Sequence, residues 1–377
     1  VNLRSEFECP LFYSPKQAED ELMNVMENAI DIDRLTTDQE KIEHVTRSIT
    51  EHGNYLRKRY PILQHQNALG ASVMVFSLVG MVVTGGLYIK GFIPAWTCIL
   101  INALLTSFIH EIEHDLIHRL YFRKQPLAHN AMMFFCWLAR PGMPSPWLRR
   151  NLHFHHHKES GTDTDVEAWI TTSGSPWGIL RLLKLIDGFV FGFLNAVFAP
   201  GWRQKVRLLG KIIRLNTPFG LLYWGCWYVF LGYHLYVWAG SFMGQDIQSS
   251  AATLAFMNVI NSAVVILIAP NMIRQFCLFF ISSNMHYYGD VAPRNALQQT
   301  QVMNPWWLWP FQMFCFNFGS THSIHHFVVR DPFYLRQMTA PYAHNVMAQA
   351  GVRFNDFGTY KRANRFSMGH SQTRSRG

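Results

Sequence analysis

Histidine is distributed unevenly in this 377-residue chain. It concentrates in His110-Glu111-Ile112-Glu113-His114, in His153-Phe154-His155-His156-His157 and in His322-Ser323-Ile324-His325-His326, with a lone His286 beside a long apolar stretch. The patterns read HxxxH, HxxHH and HxxHH. Residues at i, i+3 and i+4 share one face of a helix, so each cluster can aim two or three neutral imidazoles at one point. Such convergence is how a metal site is built, and one zinc ion takes only four ligands. Two metal ions account for the number more economically. Imidazole-rich, carboxylate-poor coordination suits iron, copper, zinc or nickel, and of these the redox metals iron and copper give a reason for a pair.

The segments that position these histidines are apolar. The chain is 49% hydrophobic and 15% aromatic with only 15% charged residues, and its formal net charge is +9. That composition excludes a set of ordinary soluble domains. About 20 apolar residues in a helix cross a hydrocarbon core of roughly 30 Å. Leu69 to Ile89 meets that length, and 92–109 follows after only Lys90-Gly91, predicting an antiparallel hairpin that returns at His110. A second pair is expected at 219–239 and 251–283, returning at His286. The fold class expected is therefore all-α, with four transmembrane helices and a helical cytosolic cap carrying the histidine clusters.

Lysine and arginine set the orientation. The 240–250 turn has neither, whereas Arg57-Lys58-Arg59, 119–124, Arg149-Arg150 and 205–214 are basic and lie on the other side of the spans. All histidine clusters and both termini thus fall on the cytoplasmic side. Trp177 to Phe198 is interrupted by Arg181, Lys184 and Asp187. Each charge costs roughly 2.5–3.5 kcal/mol at mid-membrane, which makes an interfacial amphipathic helix the expectation there. Leu127 to Ala139 is too short to cross and reads as re-entrant or interfacial, and Trp306-Trp307-Leu308-Trp309 suits the headgroup level. The expected division is a helical N-terminal segment over 1–66, a catalytic membrane unit over 67–352 and a basic, flexible tail over 353–377. No signal peptide is read in the polar first 59 residues. The six cysteines form no CxxC pair, which excludes a thiolate metal module and reads as reduced, buried thiols.

Two rival readings use the same histidines. The HExxH at 110–114 alone fits a zinc peptidase with Glu111 as general base, but it leaves both HxxHH clusters unexplained. A metal transporter places its ligands near mid-bilayer, whereas here the spans are nearly free of histidine, His234 excepted.

Order, spacing and topology together resemble the integral-membrane fatty acid desaturase and hydroxylase superfamily over about 69–330. His156-His157-Lys158-Glu159-Ser160-Gly161-Thr162-Asp163-Thr164-Asp165 is also similar to that family's HHKxSxTxxD continuation. The resemblance implies a non-haem diiron centre with His110, His114, His153, His156, His157, His286, His322, His325 and His326 as ligands. His155, at i+2 from His153, points off that face. His118, Asp115, Asp163, Asp165, Asn284 and Asp290 are candidates to stand behind the ligands and fix their tautomers. Arg140, Arg149 and Arg150 are candidates to grip a carboxylate or carrier phosphate.

The sequence departs from the acyl-desaturase pattern at Ser282, where many members carry asparagine. Tyr287-Tyr288-Gly289 is instead similar to the His-Tyr-Gly context of membrane alkane hydroxylases. The chemistry implied is O2-dependent oxidation of an unactivated C–H bond in a fatty acid or fatty acyl chain. Desaturation comes first, with loss of carbon dioxide to a terminal alkene, as in a desaturase-like branch of fatty acid decarboxylases, or hydroxylation as alternatives. With no haem, ferredoxin or flavin domain in this sequence, electrons are expected from NAD(P)H through a separate reductase and a ferredoxin or similar carrier. The lipid bilayer is the other partner, and no nucleic acid is expected.

Overall fold

The computed structural model describes residues 35–162, 164, 165, 167, 168 and 176–368. The described residues are helical, with two isolated bridges, His286 to Thr300 and Val302 to Phe354, as the only extended pairing among them. Helix α1 (Asp38–Arg59) begins at a capping box. Thr37 Oγ1 accepts from the Glu40 N–H at 3.2 Å, while Glu40 Oε2 accepts from the Thr37 N–H at 3.1 Å. Asp38 and Glu40 in the first turn and Arg57-Lys58-Arg59 in the last complement the helix dipole. Its apolar face, Val45 and Ile49, packs with Val302, Ile324, Ala343 and Met347.

Helices α2 (Gln66–Ile89) and α3 (Ala95–Ile117) form the expected hairpin about Gly91, which takes φ +76°. Helix α3 does not end at residue 109. It continues two turns through His110 and His114, burying Glu111, Glu113 and Asp115 as well. Polar residues end an apolar run without ending a helix, because each buried group here finds a partner or faces a cavity. Gly70 of α2 makes room for this end of α3. A Cβ there would lie 2.5 Å from the ring of Tyr121, whose hydroxyl donates to Asp115 at 2.8 Å.

Then follow α4 (Pro126–Ala139), α5 (Pro146–Glu159), α6 (Ile179–Ile186), α7 (Gly188–Val197), α8 (Trp202–Asn216) and α9 (Phe219–Phe242). The amphipathic stretch after Trp177 is two helices, broken at Asp187, which caps the Val190 N–H. Its Arg181 is not interfacial but buried, donating to the Ser283 carbonyl at 2.7 Å.

Helices α10 (Ala251–Ala263) and α11 (Ala269–Met285) join through a π-helical segment, Val264–Ile268, into one 35-residue rod. Pro270 cannot donate to the Ile266 carbonyl, and Asn102 of α3 supplies that bond at 2.9 Å. Among the described residues three helices are long and apolar enough to cross a membrane: Gln66–Ile89, Ala95–Ile117 and Ala251–Met285. Helix α9 has the length and no charge, but tyrosine, tryptophan and glycine dilute its hydropathy.

Besides short helical turns, the rest of the described chain forms α12 (Phe318–Phe327), almost wholly buried, and α13 (Phe333–Gln349), which packs on α1. The flexible tail expected from Arg353 is instead packed over 353–367. Tyr287 donates to Asp356 at 2.9 Å, Asn364 donates to the His286 carbonyl at 2.8 Å, and the Phe366 N–H donates to Asp290 at 2.7 Å. Two of its basic residues, Arg353 and Arg362, are neutralised locally by Asp356 and so do not keep the segment in solvent.

Candidate metal centre

Four chain segments bring the imidazoles together. The end of α3 gives His110, His114 and His118, α5 gives His153, His156 and His157, the end of α11 gives His286, and α12 gives His322, His325 and His326. They sort into two groups whose ligand atoms lie within 4.8 Å of one another: His114, His118, His153, His157 and His325, and His156, His286, His322 and His326. In the first, Nε2 to Nε2 distances are 3.0 Å for His114–His153, 3.0 Å for His118–His153, 3.1 Å for His153–His157 and 2.9 Å for His157–His325. In the second, His286–His322 is 3.2 Å and His322–His326 is 3.3 Å.

The Nδ1 atoms explain why a cation suits these clusters. Nδ1 of His153 faces Glu167 at 3.1 Å, that of His156 faces Asp165 at 2.8 Å, that of His286 faces the Ser282 carbonyl at 2.8 Å and that of His326 faces Gln299 Oε1 at 3.1 Å. An acceptor at Nδ1 fixes the proton there and leaves a lone pair on Nε2. In the second group the Nε2 lone pairs of His156, His286 and His326 therefore converge, an arrangement that a bound metal ion relieves. His110 adds to this fit. Among the described residues it belongs to neither group, it is buried, and neither ring nitrogen has a hydrogen-bond partner.

Electrostatics favours neutral imidazole. Burial drives His118 down to about 2 and His286 to about 4, and pushes His157, His322, His325 and His326 far below the ordinary histidine value. Burial also acts on His156, but the Asp165 carboxylate outweighs it and leaves this imidazole above its ordinary value. Glu167 is likewise disfavoured by burial yet held low by His153.

Several expected roles change. His118 does not stand behind the ligands; the docking of α5 and α12 puts its Nε2 at 3.0 Å from both His153 and His325. Asp115 accepts from Tyr121, from the Phe333 N–H and from Arg336, and is 3.9 Å from the nearest imidazole nitrogen, so it anchors Arg336 and no histidine. Asn284 donates to the Phe280 carbonyl, and Asp290 clamps Phe366 and Ser367; neither meets an imidazole, because the chain turns away after His286. Asp165 does accept from His156, and Asp163 lies outside the described residues. His155 is exposed and faces the Thr164 carbonyl. Arg150 donates to the Ile117 and Leu116 carbonyls, capping α3, and so is not available to a ligand.

Three supporting residues escaped the sequence reading. Glu167 lies 14 residues beyond His153, Arg336 donates to His325 Nδ1 at 2.7 Å, and Glu113 pairs with Arg140 at 2.8 Å and with Arg149. The acidic residues within HxxxH were the available signal for the last two. Glu111, the peptidase reading's base, is engaged by Arg336 at 3.2 Å.

A partly open cavity adjoins both groups. His110, His114, His153, His156, His286 and His322 line it, together with apolar Leu152, Leu278, Phe279 and Phe318, and with Arg140 and Arg149. The sequence model of one protein family, described as fatty acid desaturase, matches residues 90–358. No curated protein matches the sequence closely.

Proposed function

Because the chain belongs to the fatty acid desaturase family, we propose that it is an integral-membrane, O2-dependent, non-haem diiron oxidoreductase that oxidises a fatty acyl chain, with desaturation as the outcome. The observation that carries this reading is the single cavity lined by imidazoles of both groups and by apolar side chains. An alkyl chain fits such walls, and its carbons then lie beside the metal-binding nitrogens. Iron bound by the two groups would supply the oxidant, drawing on O2 and two electrons from a separate carrier. The protein's own part is positional. Leu152, Leu278, Phe279 and Phe318 exclude water, while Asp165, Glu167, Gln299 and the Ser282 carbonyl fix the imidazole tautomers.

In this reading α9 is a fourth span, paired with the α10–α11 rod, and α1, α5, α12 and α13 belong to a cytosolic cap. The basic segments at 57–59 and 119–124 support that orientation. A second reading, oxidative loss of carbon dioxide from a free fatty acid to give a terminal alkene, is favoured by Arg140 and Arg149 in the cavity wall. Charge there would hold a carboxylate close to the histidines.

The test is product analysis by mass spectrometry on purified protein supplied with iron, a reductase and carrier, O2, and fatty substrates. An unsaturated product of full carbon count is expected. A terminal alkene one carbon shorter, with carbon dioxide, would replace it with the second reading. A preparation that holds zinc alone and consumes no O2 would overturn both.

A further inference from the structure

Arg274 is a charge inside an apolar rod. It sits in α11, within the span Ala251–Met285, and is 1% exposed. Its Nε, Nη1 and Nη2 have no hydrogen-bond partner among the described residues. A guanidinium cannot shed its proton to escape such a position. An unpaired ion taken out of water carries a penalty of several kcal/mol, so a membrane-embedded arginine with nothing to hold calls for an anion.

The neighbourhood repeats the deficit. Arg140 is 0% exposed, and its Nε and Nη2 are also unpartnered; only Nη1 is used, on Glu113. Arg149 leans on the same Glu113. Arg140, Arg149 and Glu113 are the charged groups that act on Arg274, together with the phenol of Tyr223. Among the described residues Glu113 is the one carboxylate that pairs with any of these three guanidiniums, while Glu111, which also acts on Arg140, is engaged by Arg336, leaving an excess of positive charge in a buried place. Both Arg140 and Arg149 line the cavity, and Leu278 and Ser282, one and two turns beyond Arg274 on the same face of α11, line it as well. All three arginines act electrostatically on His110.

We propose that Arg274 and Arg140, with Arg149, form the binding site for the carboxylate of a free fatty acid, whose alkyl chain occupies the adjoining apolar cavity. This rests on the fatty-chain reading above and specifies its head group. A thioester carbonyl is neutral and cannot discharge the site, whereas a carboxylate accepts two parallel N–H bonds from a guanidinium. The carbons next to the carboxyl group are then those closest to His110.

Equilibrium binding to the full-length protein in detergent tests the proposal independently of turnover. The probes are dodecanoate, methyl dodecanoate and dodecyl phosphate, each competing with a fluorescent fatty acid at one detergent concentration. Dodecanoate is expected to bind most tightly, and Arg274→Met to weaken it about thirtyfold or more while leaving the ester unchanged. Arg274→Lys keeps the charge and is expected to retain most of the affinity. Without ligand, Arg274→Met is expected to unfold at a higher temperature, since it removes an unpaired buried ion; a lower temperature would mean that the guanidinium serves the fold and would overturn the proposal. Acid and ester binding equally, or the phosphate binding best, would overturn the carboxylate site and leave the fatty-chain reading standing. Failure of all three probes to bind would defeat both.

Discussion

The Arg336 guanidinium donates to Nδ1 of His325 across 2.7 Å while its other terminal nitrogen reaches Glu111 and Asp115, each at 3.2 Å. Since a guanidinium only donates, Nδ1 of His325 accepts here, whereas Nδ1 of His153, His156, His286 and His326 faces an acceptor. Arg336 therefore joins the fold of α3 to the protonation of one imidazole. Arg336→Met strands two buried carboxylates and is expected to lower stability by about 3–5 kcal/mol. Arg336→Lys, which keeps the charge, should lose much less. Thermal unfolding of the two variants in detergent checks this, and equal losses would mean that the charge pairing is unimportant.

Metal content separates ligands from bystanders. His118→Ala and His157→Ala are expected to lower bound metal to a similar degree, because both Nε2 atoms lie within about one hydrogen-bond length of their neighbours in the first group. His155→Ala, whose ring faces the Thr164 carbonyl, should retain it. Elemental analysis of the three variants decides the matter. Full metal in His118→Ala would return that residue to a supporting role.

On the proposed reading, Glu167 and Asp165 hold His153 and His156 in the ligating tautomer. Glu167→Gln and Asp165→Asn are expected to weaken metal binding by roughly 10–100-fold without unfolding the protein. Competition with a chelator of known affinity measures this. No change in either would mean that the imidazoles are oriented by packing alone.

Acid should destabilise the metal-stripped protein. His118 at about 2 and His286 at about 4 stay neutral when folded, whereas in the unfolded chain they titrate near 6.5. Between those values the unfolded state binds more protons, so stability present above about pH 6.5 is lost as pH falls. His156, raised above its ordinary value, works in the opposite direction and reduces the slope. Unfolding temperatures from about pH 8 down to about pH 4 should therefore decline; a flat profile would mean that the histidines already titrate alike in both states.

The histidine clusters were legible because i, i+3, i+4 spacing is a local property of a helix, and His153 with His157, and His322 with His326, meet accordingly. His118 was visible on the right face, but its approach to His325, 207 residues away, depends on how α12 docks. Asp115 and Asp290 were misjudged for the same reason: adjacency in sequence to a ligand does not say which way a carboxylate turns. The packed 353–367 segment was hidden by its positive charge. Arg274 needed no structure to be noticed, being a charge within an apolar run.

Asn364 holds the His286 carbonyl from 78 positions later in the chain, and His110 is separated from α12 by the whole of the second hairpin. Order of synthesis therefore constrains maturation. When the first hairpin leaves the ribosome it carries imidazoles that have no companions, and the second enters the bilayer before α12 exists. On the proposed reading, metal capture would consequently be a late event, coming after membrane insertion and after α12 docks.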